Sequence, residues 1–179
     1  NKTHYWLSNK RLITQNIDGL DRKAGNKNYI GIHGNIDKLV VFDNQDTIQE
    51  PKNANWDEID REYLDNELKL KKILLEKFKI PLKNSEYTPE KGVSLKPLVL
   101  LFDEIYNENY RFNEALTWME SCTKMIFMGT SFSVNITNIA LEIAIEKNLS
   151  IEIVDPNPIE INYPNIVYHK MSASDYCNI

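Results

Sequence analysis

Cysteine is scarce in this sequence, and its two copies are not placed as a metal site or a disulfide framework would require. Cys122 and Cys177 stand 55 positions apart, and neither belongs to a Cys-x-x-Cys pair. Zinc ribbons and disulfide scaffolds are built from closely spaced sets of cysteines. We therefore predict that the chain binds no structural metal and that it works in a reducing, cytoplasmic compartment.

Basic charge and long apolar runs are lacking as well. The 21 Lys and Arg residues are outnumbered by 26 Asp and Glu residues, which gives a net charge of −5. A general nucleic-acid partner is not expected, because binding phosphates requires a basic surface. No apolar run is long enough to cross a membrane and no signal-peptide pattern occurs, so no membrane partner is expected. At 179 residues and 42% hydrophobic content, the chain can still bury a sizeable core in one or two domains.

A glycine-rich phosphate turn is also missing near the beginning of the sequence. A nucleotide-binding α/β domain normally opens with a strand and such a turn. Residues 1–4 have no initiator Met and read as the end of a helix that leads into a strand. We therefore expect this chain to be the carboxyl-terminal portion of a longer protein.

The most informative segment that is present begins with a run of short polar side chains. A β-like stretch at residues 11–14 leads directly into Gln15, Asn16 and Asp18. Ligands bind at the carboxyl ends of the strands in an open parallel sheet. Amide and carboxylate groups suit sugar hydroxyls and a carboxamide, which indicates a nicotinamide nucleotide. Taken alone, Asn-Ile-Asp-Gly is more often an ordinary turn.

A histidine follows in the same segment. His33 comes after a second β-like stretch, at residues 29–32, and precedes Gly34. A histidine at a strand end can accept a proton near neutral pH. A single histidine beside glycine is more often a cap or a surface residue, but its order after the polar run favours a functional site.

Alternation of strand and helix patterns marks the second half of the sequence from Leu95 onward. We predict strands at 98–102, 125–128, 151–154 and 166–168, and helices at 113–122 and 135–147. This order is typical of an α/β fold in which helices cover both faces of a Rossmann-like parallel sheet.

A charged segment, residues 39–95, interrupts that pattern and is predicted to be a small inserted module. Asn55 and Glu58 resemble a capping box, and a single amphipathic helix is expected after them, ending before Pro81. The predicted division of the chain is therefore 1–38 and 96–179 for the nucleotide-binding domain and 39–95 for the module.

Three downstream segments could meet a nucleotide, although each also reads as ordinary structure. Gly129, Thr130 and Ser131 lie between a strand and a helix, where backbone amides and hydroxyls can meet ribose or phosphate. Asp155 ends the next strand, and a carboxylate there commonly binds ribose hydroxyls. The third segment is the polar stretch 172–175 near the carboxyl end.

These segments resemble the sirtuin family of NAD-dependent protein deacylases. Residues 14–18 match the family's Thr-Gln-Asn-Ile-Asp, and residues 32–34 match its Leu-His-Gly at the same separation, with Ile32 in place of Leu. Residues 129–134 resemble Gly-Thr-Ser-Leu-x-Val, whereas Asp155 stands where the family more often has Asn. The family's zinc module, held by two Cys-x-x-Cys pairs, falls at residues 39–95, where this chain has no cysteine. Helical packing would then have to do what zinc does.

The resemblance implies NAD as the cofactor and an acyl-lysine protein or peptide as the substrate. His33 would be the general base and Asn16 would position the ribose or a water, so these two residues are the implied catalytic pair. The implied cofactor-binding residues are Gln15, Asn16, Asp18, Gly129, Thr130, Ser131, Asp155, Ala173 and Ser174.

The acyl-lysine tunnel is implied at residues 96–104, which resemble Arg-Pro-x-Val-Val-x-Phe-Gly-Glu. Leu100 and Phe102 would form its wall. Asp103 replaces the usual Gly, and its side chain could narrow the groove. The class of substrate is therefore what the resemblance implies least firmly.

The resulting hypothesis is an NAD-dependent protein-lysine deacylase that releases nicotinamide and O-acyl-ADP-ribose. Two alternatives stay open. An NAD glycohydrolase or ADP-ribosyltransferase on the same scaffold would keep Asn16 and His33 and tolerate a blocked peptide groove. A non-catalytic NAD- or peptide-binding module would need neither residue for chemistry.

Overall fold

Ten strands and six α-helices form in residues 2–43, 47–101 and 104–178, which are the parts of the chain described by the structure, a computed structural model. The strands are β1 (Leu12–Thr14), β2 (Tyr29–Gly31), β3 (Gly34–Val41), β4 (Lys52–Asn53), β5 (Leu82–Lys83), β6 (Glu86–Tyr87), β7 (Leu95–Val99), β8 (Lys124–Met128), β9 (Ser150–Val154) and β10 (Ile166–His169). The helices are α1 (Lys2–Leu7), α2 (Leu20–Lys23), α3 (Glu67–Lys77), α4 (Phe112–Ser121), α5 (Asn135–Glu146) and α6 (Ala173–Tyr176). Short 3-10 helices occupy Trp56–Glu58, Arg61–Tyr63 and Glu108–Tyr110.

These elements belong to two units. The parallel-sheet unit comprises residues 1–13, 20–30 and 111–179, and the antiparallel-sheet unit comprises residues 14–19 and 31–110. The division into 1–38, 39–95 and 96–179 made from the sequence follows the order of the chain and stays a prediction.

The parallel-sheet unit contains the α/β arrangement that the sequence predicts. Its three strands lie in the order β10-β9-β8 and all pairs are parallel. The central strand β9 buries Ile151, Ile153 and Val154 almost completely, because it has a neighbour on each side and apolar cover on its faces. The Rossmann-like α/β class is confirmed, and strands β8 to β10 lie within one residue of their predicted bounds.

Helical spacing explains how α4 and α5 pack in this unit. Ile136, Ala140 and Ala144 recur every four residues on α5 and are all buried. Ala115 and Met119 do the same on α4. Residues four apart share one face of a helix, so each helix presents an apolar stripe to the core.

The antiparallel-sheet unit corrects one prediction. Strand β3 lies between β4 and β7 and is antiparallel to both, whereas residues 98–102 were expected to belong to a buried parallel strand. The strand ends at Val99, and Leu101 is half exposed. It ends there because the Glu104 carboxylate accepts the N–H of Leu101 at 3.0 Å and pairs with Lys96, which turns the chain back.

The inserted segment is less helical than its amphipathic pattern indicates. Two 3-10 turns precede α3, and the Asp60 and Asn66 side chains accept backbone N–H bonds at the starts of the second turn and of α3. The predicted capping box at Asn55 is wrong, because Asn55 adopts a left-handed backbone (φ 48°) and its side chain caps no N–H. It donates instead to the Glu58 carboxylate at 3.0 Å.

A tertiary contact of Trp56 attaches this segment to its sheet, and Ser94 joins two parts of the segment to each other. The Trp56 indole donates to the carbonyl of Ile36 in β3 at 3.0 Å, and its ring meets Phe78 edge-on. The fully buried Ser94 hydroxyl donates to the carbonyl of Lys79 at 2.9 Å and accepts from the N–H of Glu90 at 2.8 Å. Buried polar groups with both roles satisfied hold loops in one arrangement.

Candidate functional site

His33 lies between β2 and β3 in the antiparallel-sheet unit. Its carbonyl accepts the N–H of Leu100 at 3.0 Å, and its neighbour Ile32 is fully buried. Gly34 follows with φ 87°, and a Cβ at this position would collide with the carbonyl of Leu98. The turn that presents the imidazole therefore requires glycine.

The imidazole of His33 has two polar neighbours. Its Nε2 lies 2.9 Å from the Tyr106 hydroxyl, and the two rings are nearly parallel, with centroids 5.9 Å apart. Burial lowers the pKa of His33 below its ordinary value, while a hydrogen bond to the backbone of Gln15 acts in the opposite direction. A lowered pKa keeps the ring neutral at pH 7, which is the form that can accept a proton.

The polar turn that precedes His33 is fastened to the start of β3. Ile17 accepts the N–H of Ile36 through its carbonyl at 3.0 Å, and Asn16 donates its N–H to the Thr14 hydroxyl at 3.2 Å. A Cβ on Gly19 would lie 3.2 Å from the amide nitrogen of Asn35. Gln15, Asn16 and Asp18 thus belong to the same unit as His33, and the backbone contact joins Gln15 to the imidazole.

Gly129, Thr130 and Ser131 lie in the parallel-sheet unit, at the carboxyl end of β8. The N–H of Gly129 donates to Val154 at 3.1 Å, and no atom lies within 4 Å of a Cβ built on this glycine. The hydroxyls of Thr130 and Ser131 are engaged locally, with the N–H of Phe132 and with Ser133. The turn is open, and its polar groups are at a strand end as predicted.

Asp155, Ala173 and Ser174 are also in the parallel-sheet unit. Asp155 accepts the N–H of Asn157 at 2.7 Å, so it forms the local turn that was the alternative to ribose binding. Ala173 and Ser174 start the short helix α6, whose first turn is capped by Ser172. Their assignment to the cofactor stays a prediction.

Of the three predicted substrate residues, Leu100 lies in the part of the chain that the structure describes. Leu100 packs against the buried cluster of Val40, Leu98 and Tyr110. Phe102 and Asp103 lie outside the described residues, so the tunnel wall and the effect of Asp103 stay predictions.

Tyr106 is the site residue that the sequence did not reveal. It lies 73 positions after His33, and no motif joins the two. The loop that carries it also brings Glu104 to the Tyr110 hydroxyl, and burial together with the Glu104 carboxylate raises the pKa of Tyr110.

Neither a metal site nor a membrane span is found in the described residues. No group of three or more His, Cys, Asp or Glu side chains among them is placed to hold a metal ion. None of the helices described is long and apolar enough to cross a membrane.

A parallel α/β unit and a neutral histidine beside an amide-rich turn define an α/β protein with a candidate acid–base site. The Sir2 family model matches residues 2–136, and the chain therefore belongs to the Sir2 family.

The names of individual relatives are consistent with this family. The chain is 33% identical over 153 residues to the NAD-dependent deacetylase sir2E of Dictyostelium discoideum, covering 76% of this chain and 41% of the relative. It is 26% identical over 170 residues to the NAD-dependent protein deacylase 1 of Caldanaerobacter subterraneus, covering 95% and 59%. The chain thus spans about half the length of these relatives.

Solved structures share the fold. A Sir2 complex with a p53 peptide and NAD+ matches with a TM-score of 0.68 at 18% identity, covering 99% of this chain and 67% of that chain. The structure of Sir2Tm bound to a propionylated peptide matches with a TM-score of 0.67 at 19% identity, covering 99% and 65%.

Proposed function

We propose that this chain carries the acid–base part of an NAD-dependent protein-lysine deacylase. The observation that carries the proposal is the pairing of His33, whose pKa is lowered by burial, with the polar turn at Gln15 in one unit. A neutral imidazole is a competent general base, and names of the two relatives given above describe deacetylation and deacylation with NAD.

The side chains present fit a nicotinamide nucleotide. Asn16 and Gln15 would orient ribose hydroxyls through their amides, and Asp18 would accept hydrogen bonds from the carboxamide. In the parallel-sheet unit, the open space at Gly129 supports close approach of a ligand to the backbone. The other predicted contacts are Thr130, Ser131, Asp155, Ala173 and Ser174.

NAD would supply a ribosyl carbon from which nicotinamide departs as the acyl oxygen of the substrate lysine bonds to it. His33 would accept the proton of a ribose hydroxyl at Nε2, so that the hydroxyl oxygen becomes the nucleophile that captures the acyl group. Leu100 would line the path of the acyl chain. One water molecule is consumed when the lysine amine leaves, and the overall products are nicotinamide, the free lysine and O-acyl-ADP-ribose.

We place this reaction in the cytoplasm. The proposal is supported by Cys122 and Cys177, which are both free thiols, as expected in a reducing compartment.

Product analysis tests the function and separates it from its alternatives. Incubation of the full-length protein with NAD and an acetyl-lysine peptide should yield O-acetyl-ADP-ribose, detected by mass spectrometry. Free ADP-ribose with unchanged peptide would instead support an NAD glycohydrolase, and ADP-ribosylated protein would support a transferase.

Replacement of His33 tests the assignment of the base. His33→Ala should lower the rate of deacylation by a factor of roughly 10² to 10⁴ while leaving the unfolding transition unchanged. Asn16→Ala should reduce turnover to a similar extent. His169→Ala is a matched control, because His169 contacts Glu152 in the parallel-sheet unit and should keep turnover. Near wild-type activity in His33→Ala would contradict the assignment.

A further inference from the structure

Tyr106 occupies the nitrogen of His33 that the proposed chemistry needs. Its hydroxyl lies 2.9 Å from Nε2, which is hydrogen-bond distance, and the planes of the two rings are inclined by only 22°. A proton can therefore reach Nε2 in two ways. Tyr106 donates it, or Tyr106 first moves away and another donor approaches.

The direction of this hydrogen bond depends on the tautomer of the imidazole. A backbone hydrogen bond at Gln15 favours the protonated ring, which is the effect of a ring N–H that donates to a carbonyl. With that N–H on Nδ1, the neutral ring has its lone pair on Nε2 and the Tyr106 hydroxyl is the donor. This tautomer leaves Nε2 able to accept a proton from Tyr106.

The loop around Tyr106 is well fastened in the antiparallel-sheet unit. On one side, Glu104 binds Lys96, the Leu101 N–H and the Tyr110 hydroxyl. On the other side, Asn109 accepts the N–H of Gln49 at 2.8 Å. A tyrosine between two such anchors is costly to displace, because several hydrogen bonds would have to change together.

We propose that Tyr106 relays the proton between the substrate hydroxyl and His33. The ribose hydroxyl donates to the Tyr106 oxygen, which retains acceptor capacity, and Tyr106 passes its own proton to Nε2 of His33. One O–H bond of the substrate breaks, one N–H bond of the imidazole forms, and the tyrosine ends protonated as it began. This relay rests on the deacylase function proposed above.

The elements that adjoin His33 along the chain and in the sheet carry further ionisable groups. Asp18 belongs to the polar turn, Asp37 to β3, and Lys96 and Glu104 form an ion pair with each other. Tyr106 itself is the fifth group. Replacing Tyr106 by phenylalanine keeps the four other groups and removes only the hydroxyl.

Tyr106→Phe in the purified protein gives two separate readouts. The hydroxyl can donate to the neutral ring and accept from the protonated one, so its loss should shift the pKa of His33 in an NMR titration of the imidazole signals, assigned with His33→Gln. The kcat for acetyl-lysine peptide should fall at least about tenfold, equivalent to one lost hydrogen bond in the transition state. Tyr163→Phe is the matched control, because it removes a single exposed hydroxyl contact, to Asn148 at 3.2 Å, and both readouts should stay at wild-type values.

The outcomes distinguish the relay from the function on which it rests. If the wild type is active and Tyr106→Phe keeps its kcat, the relay is overturned. A lower KM in the variant would also overturn it, and would mean that the substrate displaces Tyr106. An unchanged pKa of His33 in the variant also overturns it. A full-length wild type that forms no O-acetyl-ADP-ribose overturns the deacylase function and the relay together.

Discussion

Two glycines with nearly the same backbone angle experience different surroundings. Gly34 has φ 87° and Gly25 has φ 90°, yet a Cβ would strike the Leu98 carbonyl at the first and meet nothing within 4 Å at the second. Backbone strain is thus common to both, and close packing of strands β3 and β7 is specific to Gly34. The comparison isolates the contribution of close approach.

Gly34→Ala should lower the free energy of unfolding by about 3 kcal/mol or more, since the strain of a left-handed alanine adds to a clash that must move a strand. Gly25→Ala should lose only about 1 to 2 kcal/mol, which is the strain alone. Urea unfolding followed by circular dichroism measures both. Equal losses would mean that the β3–β7 contact relaxes freely around an added methyl group.

At the residue scale, the sequence points to candidate residues that are close together in the chain, and their roles stay predictions. Gln15, Asn16 and Asp18 adjoin one another, and His33 follows closely enough for its position after a strand to be recognised. Tyr106 could not be found in this way, because its partner is 73 residues distant and only the pairing of β3 with β7 brings the two together. Phenolic side chains occur in many cores, so the residue type gave no signal.

Among the elements, β9 is tied to its neighbours through one carboxylate. Glu152 binds Lys124 of β8, His169 of β10 and the Tyr176 hydroxyl of α6, the last two at 3.0 Å and 2.5 Å. Burial acts to raise the pKa of Glu152, but the hydrogen bonds from Lys124 and Tyr176 outweigh it and the pKa is lowered. Burial and the same carboxylate raise the pKa of Tyr176 to about 12.

This network predicts a pH dependence of stability. A carboxyl group whose folded pKa is below its ordinary 4.5 stabilises the fold above that pH, and the stabilisation is lost as pH falls through the folded pKa. Glu152→Gln should therefore lower the melting temperature at pH 7 and reduce its decline between about pH 5 and 3. Thermal unfolding across this pH range measures the effect, with Glu142→Gln on the exposed side of α5 as the control. If the melting temperatures of wild type and Glu152→Gln fell by the same amount over this pH range, the role of the network would be contradicted.

The success of prediction also varied by element. Strands β8 to β10 were predicted well because a short, continuous apolar run is typical of a strand that is buried on both faces of a parallel sheet. The strand predicted at 98–102 contains a similar run, but a carboxylate from Glu104 and pairing with β3 decide where it ends and in which direction it pairs. The helix predicted in the inserted segment was too long. Trp56 contacts the Phe78 ring and the Ile36 carbonyl, and a periodicity pattern carries no information on such tertiary contacts.

For the whole molecule, the expected independence from zinc is a measurable property. No cysteine occurs between residues 39 and 95. Trp56 bonds that segment to β3 instead, and Ser94 bonds Lys79 within it. Elemental analysis of the purified protein should find less than one zinc per chain, and a chelator should leave the melting temperature unchanged, since no thiolate set is available to hold the ion. One zinc per chain, or unfolding on chelation, would contradict this expectation.

Val41 of β3 pairs with Leu95 of β7, so the inserted segment leaves the sheet and returns to it at neighbouring positions. Strands β3 and β7 are in effect the two arms of one hairpin, and residues 42–94 are its loop. The entropy of closing a loop rises only slowly with length, so this loop costs roughly 3 kcal/mol more than a two-residue turn would. Evolution could therefore lengthen, shorten or exchange such a cassette with little change in the register of the arms, and thus modify what surrounds a histidine without altering the strand that presents it.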